Sequence, residues 1–338
     1  MNSSEQSRAS VVVRPRQHLE LRAGRGVGDA ATRRGFTLIE LLIALVIGVI
    51  VLTAATSVAS SMFRNVGGVR VRESVSRQAR FVGMSLERDL SETGVELESD
   101  ISFGSLAARG DTLSILSVPF TPDIAPVYRL VARVDTAPLL PANEGSCGLR
   151  CLNLRAPTAG GAVELESGDV ALLNAAGSRR LMIVDQVSPI VDSTRVTMVD
   201  MDSLLFRPAN FAGGLLLPRG LTSVQRMQAV TYYVDNGTLM RAERFKSDGT
   251  LDGAPMADGV DSFTVRLVFT DGHEASEANG ADADDENDYD DIVSVIVRLR
   301  LRADSSGVNK PKDGIPVTRA YEWRFSPRNL IYERNRRR

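Results

Sequence analysis

Chemically capable side chains are few in this chain, and they fall in three places. There are two histidines, His18 and His273, and two cysteines, Cys147 and Cys151, among 338 residues. A Ser-His-Asp triad or a His-rich zinc site therefore has almost nothing to draw on. Carboxylates concentrate in residues 271–291, "DGHEASEANGADADDENDYDD", which hold ten acids and neither Lys nor Arg. The third place is Glu40, an acid inside the apolar run "GFTLIELLIALVIGVIVL" of residues 35–52. Scattered Asp and Glu elsewhere show no spacing that singles out an acid/base couple, so the sequence points away from an enzyme.

Each place has a bland and a sharp reading. Cys147 and Cys151 are separated by Gly-Leu-Arg. In an oxidising compartment they close a small loop as a disulfide; otherwise they are two thiols, too few for structural zinc. The acidic tract reads as a solvated connection, because like charges repel and little of it can be buried. Its sharper reading is a Ca²⁺ site in which Asp282, Asp284, Asp285, Asp288 and Asp290 converge as hard oxygen ligands. The EF-hand requirements for glycine at position six and glutamate at position twelve are not met, so no cofactor is assigned and calcium stays an alternative.

Glu40 needs the elements around it. From Phe36 to Phe63 the chain is long enough to cross a bilayer, for which about 20 helical residues suffice. Arg33 and Arg34 precede it directly, which leaves residues 1–34 cytoplasmic and exports the remainder as a single-pass protein. The charge distribution agrees: residues 1–35 hold seven arginines against three acids, while 36–338 hold 33 basic and 39 acidic residues. Three readings compete for this stretch. A secretory signal peptide would be cut near Ser57-Val58-Ala59. A plain anchor would carry Glu40 at a cost of up to about 2.5–3.5 kcal/mol. A docking helix would receive a positive charge from a partner at Glu40.

"RRGFTLIELLIALVI" resembles the processing site of type IV prepilins and pseudopilins. The resemblance implies cleavage between Gly35 and Phe36 by a prepilin peptidase, N-methylation of Phe36, and a role for Glu40 as partner of a neighbouring subunit's terminal amine. It also implies an inner-membrane protein that later enters a pilus or pseudopilus. Its partners would be other pilins or minor pilins and an inner-membrane assembly platform. The leader is longer than is common in that family, and Val27 is an alternative start.

Behind the anchor, Val69, Val75, Ala79, Val82, Leu86 and Leu90 recur at helical spacing, which predicts an amphipathic helix over 64–93. Residues 94–338 change to short alternating runs. These predict strands at 112–118, 127–134, 169–173, 181–187, 195–199, 229–234, 238–245, 261–270 and 292–302. Asn236-Gly237 marks a tight hairpin. The expected fold class is α+β: a long N-terminal helix packed on antiparallel sheet, with residues 271–291 as an acidic loop of a periplasmic domain.

"AVTYYVDNGTLMRAERF", "VSVIVRLRLR" and the terminal "AYEWRFSPRNLIYERNRRR" are similar to larger minor pilins of the PilW kind and to the J-type minor pseudopilin of type II secretion. That resemblance implies a minor pilin supporting pilus assembly. The alternatives are a type II secretion pseudopilin and a membrane-anchored periplasmic binding protein that enters no filament. The basic end (Arg334, Arg336, Arg337, Arg338) lacks interleaved stacking aromatics, so nucleic acid is not an expected partner.

Overall fold

A 54-residue helix without proline, α1 (Leu38–Ser91), is the first element among the described residues. The computed structural model describes residues 36–97, 99–120, 124–131, 139–141, 151–158, 161–175, 178–190, 193–200, 216–218, 220–246, 250–279, 287–303, 318–330 and 332. The chain divides into two compact units, Met1–Ser60 and Ser61–Arg338.

In the first unit the described residues are helical from Leu38 and their side chains are exposed from Phe36 to Ala59. Hydroxyls do not interrupt the apolar surface. Thr53 Oγ1 donates to the Val49 carbonyl, Thr56 Oγ1 to that of Leu52 at 2.9 Å, and Ser57 Oγ to that of Ala54 at 3.0 Å. Each donor is thereby satisfied within the helix, as an apolar surrounding requires.

In the second unit the same helix becomes one-sided. Val75, Ala79, Val82, Leu86 and Leu90 are buried, each 5% exposed or less, and form the expected stripe. Val69, assigned to that stripe by the sequence, is instead 61% exposed. Six residues at about 100° each place it roughly 120° from Val75, off the buried face. The helix ends at Ser91, where Gly94 (φ +73°) turns the chain.

The strands are antiparallel, as expected, and form two main sheets. Sheet one contains β1 (Leu106–Arg109), β2 (Thr112–Ser117), β3 (Val127–Leu130), β5 (Cys151–Arg155), β6 (Val170–Ala175), β7 (Ser178–Ile190) and β8 (Ser193–Asp200). It also contains β10 (Thr222–Asp235), β11 (Thr238–Phe245) and β12 (Leu251–Asp258). A separate two-stranded pair joins β4 (Leu139–Pro141) to β9 (Leu216–Pro218). Sheet two runs β14 (Glu274–Ala275), β13 (Val260–Phe269), β15 (Ile292–Arg302), β16 (Thr318–Phe325).

Strand β10 serves two structures. Its first half pairs with β3 on one side and β6 on the other. The order β10-β3-β5-β8-β7-β6 therefore closes on itself into a six-stranded ring. The ring is filled by its own cluster, including Tyr128, Leu154, Val184, Val196, Met198 and Val224, as small barrels are. The second half of β10 leaves the ring and pairs with β2 and β11. Its Ala229, Val230 and Tyr232 join a different core, shared with α1 and sheet two. Asn236 (φ 49°) and Gly237 (φ 77°) both adopt the left-handed geometry of a two-residue hairpin turn between Asp235 and Thr238.

Sheet two shows the expected alternation. Val295, Val297, Leu299 and Leu301 are fully buried, while Arg298, Arg300 and Arg302 face solvent. Strand β16 packs against the flank of α1. A side-chain carbon at Gly83 would lie 2.9 Å from Trp323 Nε1, so this helix position accommodates the indole only as glycine. Tyr321 stacks on Trp323 with ring centroids 5.9 Å apart.

Candidate assembly site

The first turn of α1 is built by two side chains. Thr37 precedes the helix, and its Oγ1 accepts from the Glu40 backbone N–H at 3.3 Å. Glu40 reaches back in return: its Oε2 accepts from the Thr37 backbone N–H at 3.0 Å and from the Thr37 hydroxyl at 3.1 Å. This reciprocal arrangement is a capping box, which satisfies two of the four amide donors that a helix start leaves open. The carboxylate also sits at the positive end of the helix dipole.

Glu40 is thus already engaged within its own chain, by Thr37, the residue next to Phe36. Sequence reasoning treated it as an acid awaiting a partner and missed this role. The signal was present: Thr-x-x-Glu immediately before an apolar run is the sequence form of a capping box. Only Oε2 makes these bonds. The apolar surface beyond it, Leu38–Phe63, is long and apolar enough to cross a membrane, and none of it is buried. At 1.5 Å per residue these 26 residues extend about 39 Å, against a bilayer core of about 30 Å.

A second cluster fixes the amphipathic part of α1. Asp89, 3% exposed, receives two bonds from the Arg241 guanidinium of β11, from Nε at 2.7 Å and from Nη2 at 2.8 Å. The buried Tyr232 hydroxyl of β10 donates to the same carboxylate. Burial, reinforced by the Asp89 charge, pushes the Tyr232 hydroxyl well above its ordinary value of 10. Adjacent strands thus hold one helix residue from two directions. At the helix end, Asn329 Nδ2 donates to the carbonyls of Ser91 at 3.3 Å and Thr93 at 3.1 Å.

The other expected sites are only partly visible. Gly35 lies outside the described residues, as do Cys147, Asp282, Asp284 and Asp285. Cys151 opens β5 with its Sγ 3.7 Å from Thr197 Oγ1, and no described cysteine is a free thiol. Asp288 is 2% exposed and begins a short 3₁₀ turn, Tyr289–Asp291, that contains Asp290. Among the described residues no group of three or more His, Cys, Asp or Glu could hold a metal ion.

Residues 31–56 match the family model described as the prokaryotic N-terminal methylation motif. Among solved structures, a type IV-like pilin from Thermus thermophilus is similar at 12% identity, over 49% of this chain and 86% of that chain, with a TM-score of 0.22. Comparison with curated protein sequences finds no match. The capping box at Thr37–Glu40 and the first 19 residues of α1 therefore lie within a prokaryotic N-terminal methylation motif.

Proposed function

We propose that this chain is a minor pilin-type subunit. In this reading it is cleaved between Gly35 and Phe36, N-methylated on Phe36, and incorporated into a type IV pilus through its N-terminal helix. The observation that carries the reading is the matched motif at residues 31–56 joined to an exposed apolar helix over Leu38–Phe63. Cleavage at Gly35 would create an α-amino cation directly before Thr37. The Glu40 carboxylate already lies against the Thr37 amide at 3.0 Å through Oε2, and in this reading its second oxygen receives the cation. One carboxylate can hold the helix cap and also neutralise a terminal amine, its own or a neighbour's. In an apolar surrounding, removing one member of such a pair leaves the other charge uncompensated, with a penalty of about 3–5 kcal/mol.

Two variants separate the charge from the cap. Glu40→Ala is expected to be processed but not incorporated into filaments. Thr37→Ala loses only the cap, about 1 kcal/mol of helix stability, and is expected to be incorporated. Normal incorporation of Glu40→Ala would overturn the pairing, and equal loss in both variants would assign the effect to the cap. Deletion distinguishes the two filament systems: loss of pili places the subunit in a pilus, and loss of exoprotein release places it in type II secretion.

A further inference from the structure

The solvent face of sheet two gathers arginines from three strands. β15 presents Arg298, Arg300 and Arg302 on the side opposite its buried Val297, Leu299 and Leu301. Register adds two more: Arg266 of β13 and Arg324 of β16 lie opposite Ile296, one on each side. All five are exposed. At about 3.4 Å per residue and about 4.8 Å between strands, they cover a strip about 20 Å long and 10 Å wide. Between them stand small exposed residues: Thr264 opposite Arg298, Ser262 and Ala320 opposite Arg300, and Thr318 opposite Arg302. Glu322 is the acid of the strip and meets Arg298 at 2.7 Å; from the rim, Asp261 meets Arg300 at 3.7 Å and Glu274 adds its field. Both pairs are well exposed, and such pairs contribute little. Arg266 and Arg302 form no ion pair among the described residues. The strip is a local excess of cations on a chain whose residues 36–338 hold 33 basic and 39 acidic side chains.

What the strip lacks identifies what covers it. A protein partner needs an apolar or aromatic centre. Here Ile296 is 5% exposed and Ala320 offers one methyl group. Tyr321, Trp323 and Phe325 register with Leu299, Val297 and Val295 and so belong to the other face. A lipid surface is met by apolar side chains inserted beside the basic ones, and a single nucleic-acid strand by stacking aromatics. The strip has neither. It offers guanidinium groups interleaved with small hydroxyls, side chains that hold phosphate oxygens without reading bases. One strand of a duplex carries a phosphate about every 3.4 Å of axis, so a strip of about 20 Å faces about six. We propose that the outer face of sheet two binds the phosphate backbone of double-stranded nucleic acid, without sequence preference. The basic end of the chain gave no such indication, because strand register rather than a run of sequence assembles the strip. This binding is independent of N-terminal processing.

The test uses the full chain in neutral-lipid nanodiscs and a fluorescein-labelled DNA duplex, followed by anisotropy at rising NaCl. The logarithm of the affinity is expected to fall with that of the salt with a slope of about −3 to −4.5, the signature of three to five phosphates. Arg302→Ala is expected to reduce the slope by about 1. Arg300→Glu with Arg302→Glu is expected to weaken binding about tenfold or more at low salt. Glu322→Gln removes the strip's own acid and is expected to strengthen binding about threefold, a gain that misfolding cannot produce. Arg129→Glu with Arg155→Glu, an exposed cross-strand pair on the ring, is expected to change it less than about twofold. Trp323 fluorescence, read in each variant, confirms that the fold is retained. No binding of the duplex, a salt-independent affinity or an equal loss in the ring variant would overturn the proposal. So would tighter binding to phosphatidylglycerol vesicles or to polyglutamate than to the duplex.

Discussion

Helix α1 presents two surfaces of opposite kind along one uninterrupted backbone. From Leu38 to Ala59 it is mostly apolar, and every side chain is exposed. From Val75 to Leu90 a single apolar stripe is buried and the remaining positions are polar or wet. A helix apolar all round needs lipid or other helices, whereas a one-sided helix is completed by its own sheet. The contrast shows where the fold is self-sufficient and where it depends on something outside the chain. Polar side chains mark the same division. In the amphipathic part, Asp89 is held by the Arg241 and Tyr232 side chains of sheet one. In the apolar part, Glu40, Thr53, Thr56 and Ser57 bond to neighbouring residues within four positions.

The largest expected effect lies at Asp89. Asp89→Ala leaves the largely buried Arg241 guanidinium and the Tyr232 hydroxyl without their shared acceptor, at a cost of about 3–5 kcal/mol. Thermal unfolding followed by Trp323 fluorescence in detergent measures it. A change below about 1 kcal/mol would remove the clamp from the account.

Matched truncations in the two parts of α1 break the comparison if it is wrong. Leu86 is 0% exposed and Leu45 is 62% exposed. Leu86→Ala is expected to destabilise the second unit by about 2–5 kcal/mol, and Leu45→Ala to change that unfolding by less than about 0.5 kcal/mol. Equal losses at the two positions would contradict the division.

The smallest effect is the pH dependence at the alkaline end. Folded, Tyr232 keeps its proton above the ordinary value of 10; unfolded, it releases it there. Its contribution is therefore fully present below pH 10 and declines as pH rises beyond that value, by up to about 1.4 kcal/mol per pH unit. Tyr128, raised by burial, acts in the same direction. Denaturant midpoints at pH 9 and pH 11 are expected to differ less in Tyr232→Phe than in the parent protein.

How much was legible in the sequence follows from the same physics. The amphipathic stripe from Val75 to Leu90 was readable because helical periodicity is local. The long strands β11 and β15 were readable because residues such as Val295, Val297, Leu299 and Leu301 alternate. Strand β12, "LDGAPMAD", was missed: it carries Gly253 and Pro255, pairs only with β11, and has two register shifts. Such edge strands carry little alternation. Strand β16 was read only as a basic terminal segment, although its Tyr321, Trp323 and Phe325 pack on the core. The closed ring was illegible altogether, because pairing β10 with both β3 and β6 depends on contacts far apart in the chain. At the candidate site, the acid at Glu40 was visible from its apolar neighbours. The capping role of Thr37 is carried by the Thr-x-x-Glu spacing at the helix start, a signal separate from the charge of Glu40.

The most direct test of the central claim is the mass of the N-terminal peptide of the mature protein isolated from membranes. The account predicts a chain beginning at N-methylated Phe36. A mature chain beginning at Ser60, or one retaining the residues before Phe36, would contradict it.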